Sequence, residues 1–172
     1  DALYERERDS FRQAFYLEKF LDNAMAVFPI ARQAALEQAM YDGVKSGTLK
    51  SADDFDALAK KNGQRFSIYF DKHDELKMEW INIHHYYDAP MYYVNYVFAN
   101  FLAVKYYEMF TRDPKSFLPK YLALVRNGFN DSPPALLKKF LGLDLRDPRL
   151  VSDTFTVLEG KIKALEELYA RK

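Results

Sequence analysis

The chain has 172 residues, which suits one domain over 1–172 with enough length to bury a core. Lys+Arg and Asp+Glu number 25 each, so the formal net charge is zero and the composition predicts no nucleic-acid partner. The absence of cysteine excludes disulfides and thiolate metal sites, and it fits a reducing cytoplasm.

The N-terminal residues are charged and contain no apolar signal-peptide core. Because the chain begins at Asp1 rather than at a methionine, we expect a fragment or a processed product.

Helical periodicity accounts for the first third of the chain. Apolar residues recur every three or four positions from Leu3 to Phe28, and Pro29 is predicted to break that helix. A second helix is predicted over about Ile30 to Lys45 and a short third one from the Ser51 cap, paired with Asp54, to Asn62-Gly63.

The remaining segments are also helical in pattern. Residues 64–79 are polar and hard to assign, and His73 in that charged run is predicted to be an ordinary exposed histidine. Later helices are predicted from Asp113-Pro114 to Val125 with an Asn127-Gly128 end, from Ser132 to near Gly142, and over about Val151 to Tyr169. No alternating strand pattern is present, so the predicted fold is all-α.

The longest predicted helix runs from Pro90 to Phe110. Apolar or aromatic residues cover nearly all of its circumference, which is typical of a buried central helix in a multi-helix bundle. A membrane span is disfavoured because Lys105, Glu108 and two asparagines interrupt the stretch and its tyrosines are spread along its length.

A histidine pair precedes this helix and several tyrosines lie on its first turns. His84 and His85 end a loop, and the spacing of Tyr92, Tyr93 and Tyr96 places them on neighbouring helix faces. Phenol hydroxyls and an imidazole in a cleft can stabilise an oxyanion and hydrogen-bond a peptide carbonyl. The alternative is structural, since tyrosines also fill helical cores with one wet end.

The sequence shows no metal site of its own. The motif H-E-x-x-H is absent from the whole chain, and adjacent histidines project in different directions. No G-x-S-x-G and no glycine-rich phosphate loop are present either.

Three segments resemble the thimet oligopeptidase and oligoendopeptidase F zinc peptidases, in the order in which that family carries them. The segment from His85 to Tyr96, H-Y-Y-D-A-P-M-Y-Y-V-N-Y, is similar to the family's histidine- and tyrosine-rich segment. The segment from Ile30 to Asp42 looks like its arginine-glutamine helix, and Asn127 to Asp144 is similar to the oligoendopeptidase F C-terminal signature.

The resemblance implies an all-α zincin-type catalytic domain of which this chain is a C-terminal part. It implies that His85, Tyr93 and Tyr96 act in catalysis by stabilising the oxyanion, and that His84, Tyr92 and Tyr87 bind substrate. Tyr93 and Tyr96 best fit the tyrosine pair of the thimet-like branch, whereas Tyr92 best fits the oligoendopeptidase F branch, so two registers stay open.

The implied protein is a cytoplasmic zinc metalloendopeptidase that hydrolyses short peptides. Its zinc ligands would lie in the N-terminal remainder, so this chain alone is expected to bind no zinc, to be inactive, and to have no nucleic-acid or membrane partner. The alternative is a stand-alone, non-catalytic helical binding module derived from the same family. A half-cleft would expose aromatic surface around His85, Tyr92, Tyr93 and Tyr96.

Overall fold

The computed structural model describes residues 2–170, which contain ten α-helices, one 3₁₀ segment and no strand. The helices are α1 (Ala2–Arg6), α2 (Ser10–Ala24), α3 (Val27–Ser46), α4 (Ala52–Gln64), α5 (Tyr69–Lys72), α6 (His85–Asp88), α7 (Tyr93–Arg112), α8 (Pro114–Asn127), α9 (Pro133–Leu141) and α10 (Arg149–Ala170). The 3₁₀ segment, Asp74–Asn82, lies between α5 and α6. The all-α prediction is confirmed. Among the helices in this part of the chain, none has the length and apolarity that crossing a membrane requires.

The chain divides into two compact units, one of residues 26–99 and the other of residues 2–25 with 100–170. One boundary falls inside α7, between residues 99 and 100. No Pro- or Gly-rich linker separates the two parts of that helix, and the single domain over 1–172 stays a prediction.

The unit of residues 26–99 is built on α3 and α4. Its buried core consists of Leu36, Met40, Ala59 and Tyr86, and Trp80 stacks on Phe55 beside it with ring centroids 5.0 Å apart. Burial of these side chains supplies the apolar area that holds α6 and the 3₁₀ segment against the two longer helices.

The other unit is held together by contacts among α2, the later part of α7, α8, α9 and α10. Leu21, Val104 and Leu158 join α2, α7 and α10 in one cluster. A second cluster joins Phe117 of α8 to Leu137 and Leu141 of α9. Its helices therefore pack through the apolar stripes that their periodicity predicts.

Several predicted helix ends are confirmed by their caps. Ser51 and Asp54 form the predicted capping box at the start of α4. The side chain of Asp113 accepts the N–H of Ser116 at the start of α8, and Gly142 ends α9 in the left-handed conformation.

The first predicted helix, from Leu3 to Phe28, is wrong in its continuity. Residues 7–9 separate α1 from α2, because the side chain of Glu7 accepts the N–H groups of Arg8 and Asp9 and Asp9 then caps α2. Pro29 does not break a helix but lies in the first turn of α3, where its missing N–H costs nothing.

Asn62 and Gly63, predicted as the helix end, lie in the last turn of α4, which ends at Gln64, and both are buried. The Asn62 amide donates to the Arg32 carbonyl at 2.9 Å. A Cβ on Gly63 would lie 2.3 Å from the Phe70 ring, so glycine is required by close packing rather than by a turn.

The long helix differs from expectation in its start and in its burial. It begins at Tyr93 rather than at Pro90, because Met91 takes a left-handed conformation with φ 61°. Only Phe101 and Val104 are buried on it, whereas Val94, Asn95 and Tyr96 are exposed, so one face of its first turns is open to water.

Candidate functional site

His85 lies at the centre of a group of three tyrosine rings. Its ring stacks on Tyr92 with centroids 5.7 Å apart, and it meets Tyr93 and Tyr96 edge-on at 5.5 Å each. Tyr96 also contacts Tyr92 at 5.4 Å and Tyr93 at 5.6 Å. We call these four residues the His85 cluster, and all of them lie in the unit of residues 26–99.

A hydrogen bond joins the polar tips of the cluster. The Tyr96 hydroxyl lies 3.1 Å from Nε2 of His85. When Nε2 carries the proton, His85 donates and the Tyr96 proton can be directed towards another acceptor; when Nδ1 carries it, Tyr96 donates to the ring. The histidine tautomer therefore controls which way the tyrosine proton points.

The cluster is open on one side and covered on the other. Tyr92 is 46% exposed and Tyr96 37%, whereas His85 and Tyr93 are half-buried. Burial raises the pKa of Tyr93, and the nearby Tyr96 and Glu37 raise it further against the opposing effect of Arg32. The Tyr93 hydroxyl therefore keeps its proton to a higher pH than an ordinary tyrosine does, and the protonated form is the one that donates a hydrogen bond.

Short helix α6, which carries His85, is fixed to α3 through Tyr86. The buried Tyr86 hydroxyl donates to the Gln33 carbonyl at 2.7 Å, and the Tyr41 hydroxyl donates to the Tyr86 carbonyl at 2.8 Å. Because His85 precedes Tyr86 directly, these two bonds set where its ring emerges.

The start of α7 is fixed by Glu37, a residue that the sequence interpretation did not select. Its carboxylate accepts the N–H of Met91 at 2.7 Å and that of Tyr93 at 3.3 Å. The sequence does contain a signal that could have identified it: an acidic residue stands next to Leu36 and before Met40, two positions of the apolar stripe of α3.

The structure brings four of the six predicted site residues together and leaves two apart. Among residues 2–170, no ring contact joins His84 or Tyr87 to the His85 cluster. His84 is exposed and its carbonyl accepts the N–H of Tyr87, while the Tyr87 hydroxyl faces the Trp80 carbonyl at 3.4 Å. Only part of the predicted constellation is therefore a single site.

The donors needed for a metal are not assembled here. Within residues 2–170, no group of three or more His, Cys, Asp or Glu side chains could hold an ion. The His85 cluster offers one imidazole and three phenol hydroxyls, which are groups that can donate hydrogen bonds to an oxygen.

No family model matches the chain, and no curated protein matches it. Among solved structures, it is similar to oligoendopeptidase-F from Enterococcus faecium, with a TM-score of 0.89 and 24% sequence identity over 99% of this chain and 33% of that chain. The chain thus spans about a third of the length of the protein it matches. At this level of identity the likeness shows that the two share an all-α fold over nearly the whole of this chain.

Proposed function

We propose that this chain is part of a zinc-dependent oligopeptidase that hydrolyses short peptides. In this proposal the His85 cluster binds the substrate backbone and stabilises the oxyanion that develops on the scissile carbonyl. The observation that carries it is the Tyr96–His85 hydrogen bond at an open aromatic face. The shared fold with oligoendopeptidase-F agrees with it.

The proposed chemistry of the chain's own residues is donation of hydrogen bonds. A peptide carbonyl oxygen gains negative charge when its carbon becomes tetrahedral, and donors already aimed at that position stabilise it without reorganisation. Tyr96 and Tyr93 are the proposed donors. His85 orients the Tyr96 hydroxyl through Nε2, and the exposed ring of Tyr92 offers a surface for the substrate chain.

In this proposal, the zinc ligands are residues outside this chain. Because the described residues assemble no metal donor set, no step of the proposed chemistry is assigned to a metal held here. The N-terminal remainder of the peptidase would supply the ligands, and the complete protein is proposed to be cytoplasmic and to act on short peptides without nucleic-acid or membrane partners. His84 and Tyr87 lie outside the His85 cluster, so binding of the flanking substrate chain is the role proposed for them.

The decisive experiment is the Tyr96→Phe variant of the full-length protein. It removes one hydroxyl and leaves the ring packing, so the free energy of unfolding should change by about 1 kcal/mol. If the hydroxyl meets the oxyanion, kcat falls by roughly a hundredfold while KM stays nearly constant. Tyr69→Phe, an exposed tyrosine outside the cluster, is the matched control.

Unchanged turnover in Tyr96→Phe would remove this tyrosine from the proposal. Tyr93→Phe and Tyr92→Phe then distinguish the two registers that the resemblance left open. The alternative, a stand-alone binding module, is tested by reading the gene upstream of Asp1: an in-frame H-E-x-x-H there supports the peptidase, whereas a start codon immediately before Asp1 supports the module.

A further inference from the structure

Glu37 is a carboxylate enclosed by protein. It is 1% exposed, and both of its oxygens accept backbone N–H groups from the segment that leads into α7. Burying a charged side chain is costly unless hydrogen bonds satisfy it. The two bonds from Met91 and Tyr93 therefore stabilise the carboxylate in this position.

Both N–H groups belong to backbone that needs an outside partner. Met91 has φ 61°, a left-handed conformation that is unfavourable for a non-glycine residue and persists only where neighbours enforce it. Tyr93 is the first residue of α7, so its N–H has no acceptor within the helix. A carboxylate at this end also interacts favourably with the positive end of the helix dipole.

The same side of α3 holds the segment that carries His85. Gln33, Glu37 and Tyr41 recur every four residues, which places them on one helix face. Gln33 and Tyr41 fix Tyr86, and Glu37 fixes Met91 and Tyr93. The two segments that carry the His85 cluster, α6 and the start of α7, are therefore both hydrogen-bonded to α3.

We propose that Glu37 is a positioning residue for the His85 cluster. By holding the Met91 backbone and the Tyr93 N–H, it sets the direction in which α7 leaves the turn, and so the separation of the Tyr96 hydroxyl from His85. Glu37 touches none of the four cluster side chains through its carboxylate bonds, and its effect on turnover rests on the function proposed above.

The first test uses the 172-residue chain and needs no catalytic assay. In Glu37→Gln the amide keeps one acceptor oxygen and replaces the other by an NH₂ donor, which cannot accept an N–H. We expect hydrogen exchange to accelerate by about tenfold or more at whichever of the Met91 and Tyr93 amides loses its acceptor. The NMR resonances of the His85 ring should shift, because its distances to the tyrosine rings change.

Asp42→Asn is the matched control, since it removes the same charge from an exposed position of the same helix. It should leave both readouts at their wild-type values. Adding Met91→Gly to Glu37→Gln should bring the His85 resonances back towards wild type, because glycine adopts the left-handed conformation without help from the carboxylate.

A folded Glu37→Gln variant with wild-type exchange at both amides and unchanged His85 resonances would overturn the proposal. If Glu37→Gln does not fold, the same amide exchange rates and His85 resonances are measured in Glu37→Asp. That variant keeps the charge but withdraws the carboxylate by one methylene, so both readouts should change. Wild-type values in that variant would equally refute positioning.

The second test is kinetic and separates this proposal from the proposed function. In the full-length protein, Glu37→Gln should lower kcat by roughly tenfold with little change in KM, and Asp42→Asn should match wild type. If Tyr96→Phe retains full turnover while Glu37→Gln still alters the amide exchange, the proposed function fails and the positioning role stands. If Glu37→Gln shows wild-type amide exchange while Tyr96→Phe has lost turnover, the positioning role fails and the proposed function stands.

Discussion

The hydroxyl oxygen of Tyr96 lies 3.1 Å from Nε2 of His85, so a hydrogen bond joins the open face of α7 to the short helix α6. Eleven positions separate these residues in the sequence, and the turn at Met91 brings them together. His85 also contacts all three tyrosine rings, which makes it the residue on which the cluster depends.

The adjacent histidines should therefore differ sharply in their effect on turnover. His85→Ala in the full-length protein removes the hydrogen bond and three ring contacts, and we expect kcat to fall by roughly tenfold or more. His84→Ala, at an exposed position outside the cluster, should alter kcat less than about twofold. Steady-state kinetics on a short peptide substrate measures both, and equal losses would contradict the central role of His85.

Tyr86 should make the unit of residues 26–99 sensitive to alkali. Burial raises the pKa of Tyr86 above the value near 10 of an unfolded tyrosine, with Tyr93 and Glu37 adding to the shift. A group whose pKa is raised by folding contributes stability that is present below pH 10 and is lost as the pH rises towards the folded-state pKa. Urea unfolding followed by fluorescence of Trp80, the single tryptophan, should therefore show falling stability above pH 10.

Tyr86→Phe tests the assignment of that titration. The variant loses the bond to the Gln33 carbonyl and should be less stable at pH 7 by about 1 kcal/mol or more. Since phenylalanine cannot ionise, its deficit relative to wild type should shrink above pH 10. The exposed Tyr69→Phe should follow wild type throughout, and a constant deficit for Tyr86→Phe would assign the alkaline loss to other groups.

Two helical glycines, Gly63 in the last turn of α4 and Gly160 inside α10, should respond in opposite directions to alanine. A Cβ at position 63 would meet the Phe70 ring at 2.3 Å, and the Arg32 guanidinium lies over that ring, 4.9 Å from its centroid. Gly63→Ala should therefore lower the free energy of unfolding by roughly 1–3 kcal/mol. A Cβ at position 160 meets nothing within 4 Å, so Gly160→Ala should raise it by about 0.5–1 kcal/mol through helix propensity. Chemical denaturation followed by circular dichroism measures both changes; stabilisation by Gly63→Ala would show that the ring can move.

Sequence reasoning succeeded where the signal was local. The capping box of Ser51 and Asp54 and the cap at Asp113 each depend on residues within four positions of one another, and all were placed correctly. The contact of Tyr93 with Tyr96 likewise follows from helical spacing, whereas Tyr92, which was predicted on the same helix, precedes α7 and still meets Tyr96.

It failed where distant residues decide local structure. Fifty-four positions separate Glu37 from Met91, and without that contact Pro90 is a reasonable first helical residue. The close packing of Gly63 against Phe70 was likewise not predicted, because it depends on a contact with a residue outside α4. The exposed face of α7 was missed because tyrosine counts as apolar in a periodicity pattern although its ring edge and hydroxyl remain wet.

The bonds from Glu37 end on the N–H groups of residues 91 and 93 and do not depend on the side chains at those positions. Every amino acid except proline supplies that N–H, so the two bonds tolerate many side chains, while the left-handed conformation at position 91 disfavours β-branched ones. An insertion or deletion between Tyr86 and Tyr93 is different, since it would move both N–H groups out of reach while Tyr86 stays fixed to α3. The number of residues in this segment is therefore under tighter physical constraint than their identity, which allows the sequence around the His85 cluster to diverge while the turn keeps its shape.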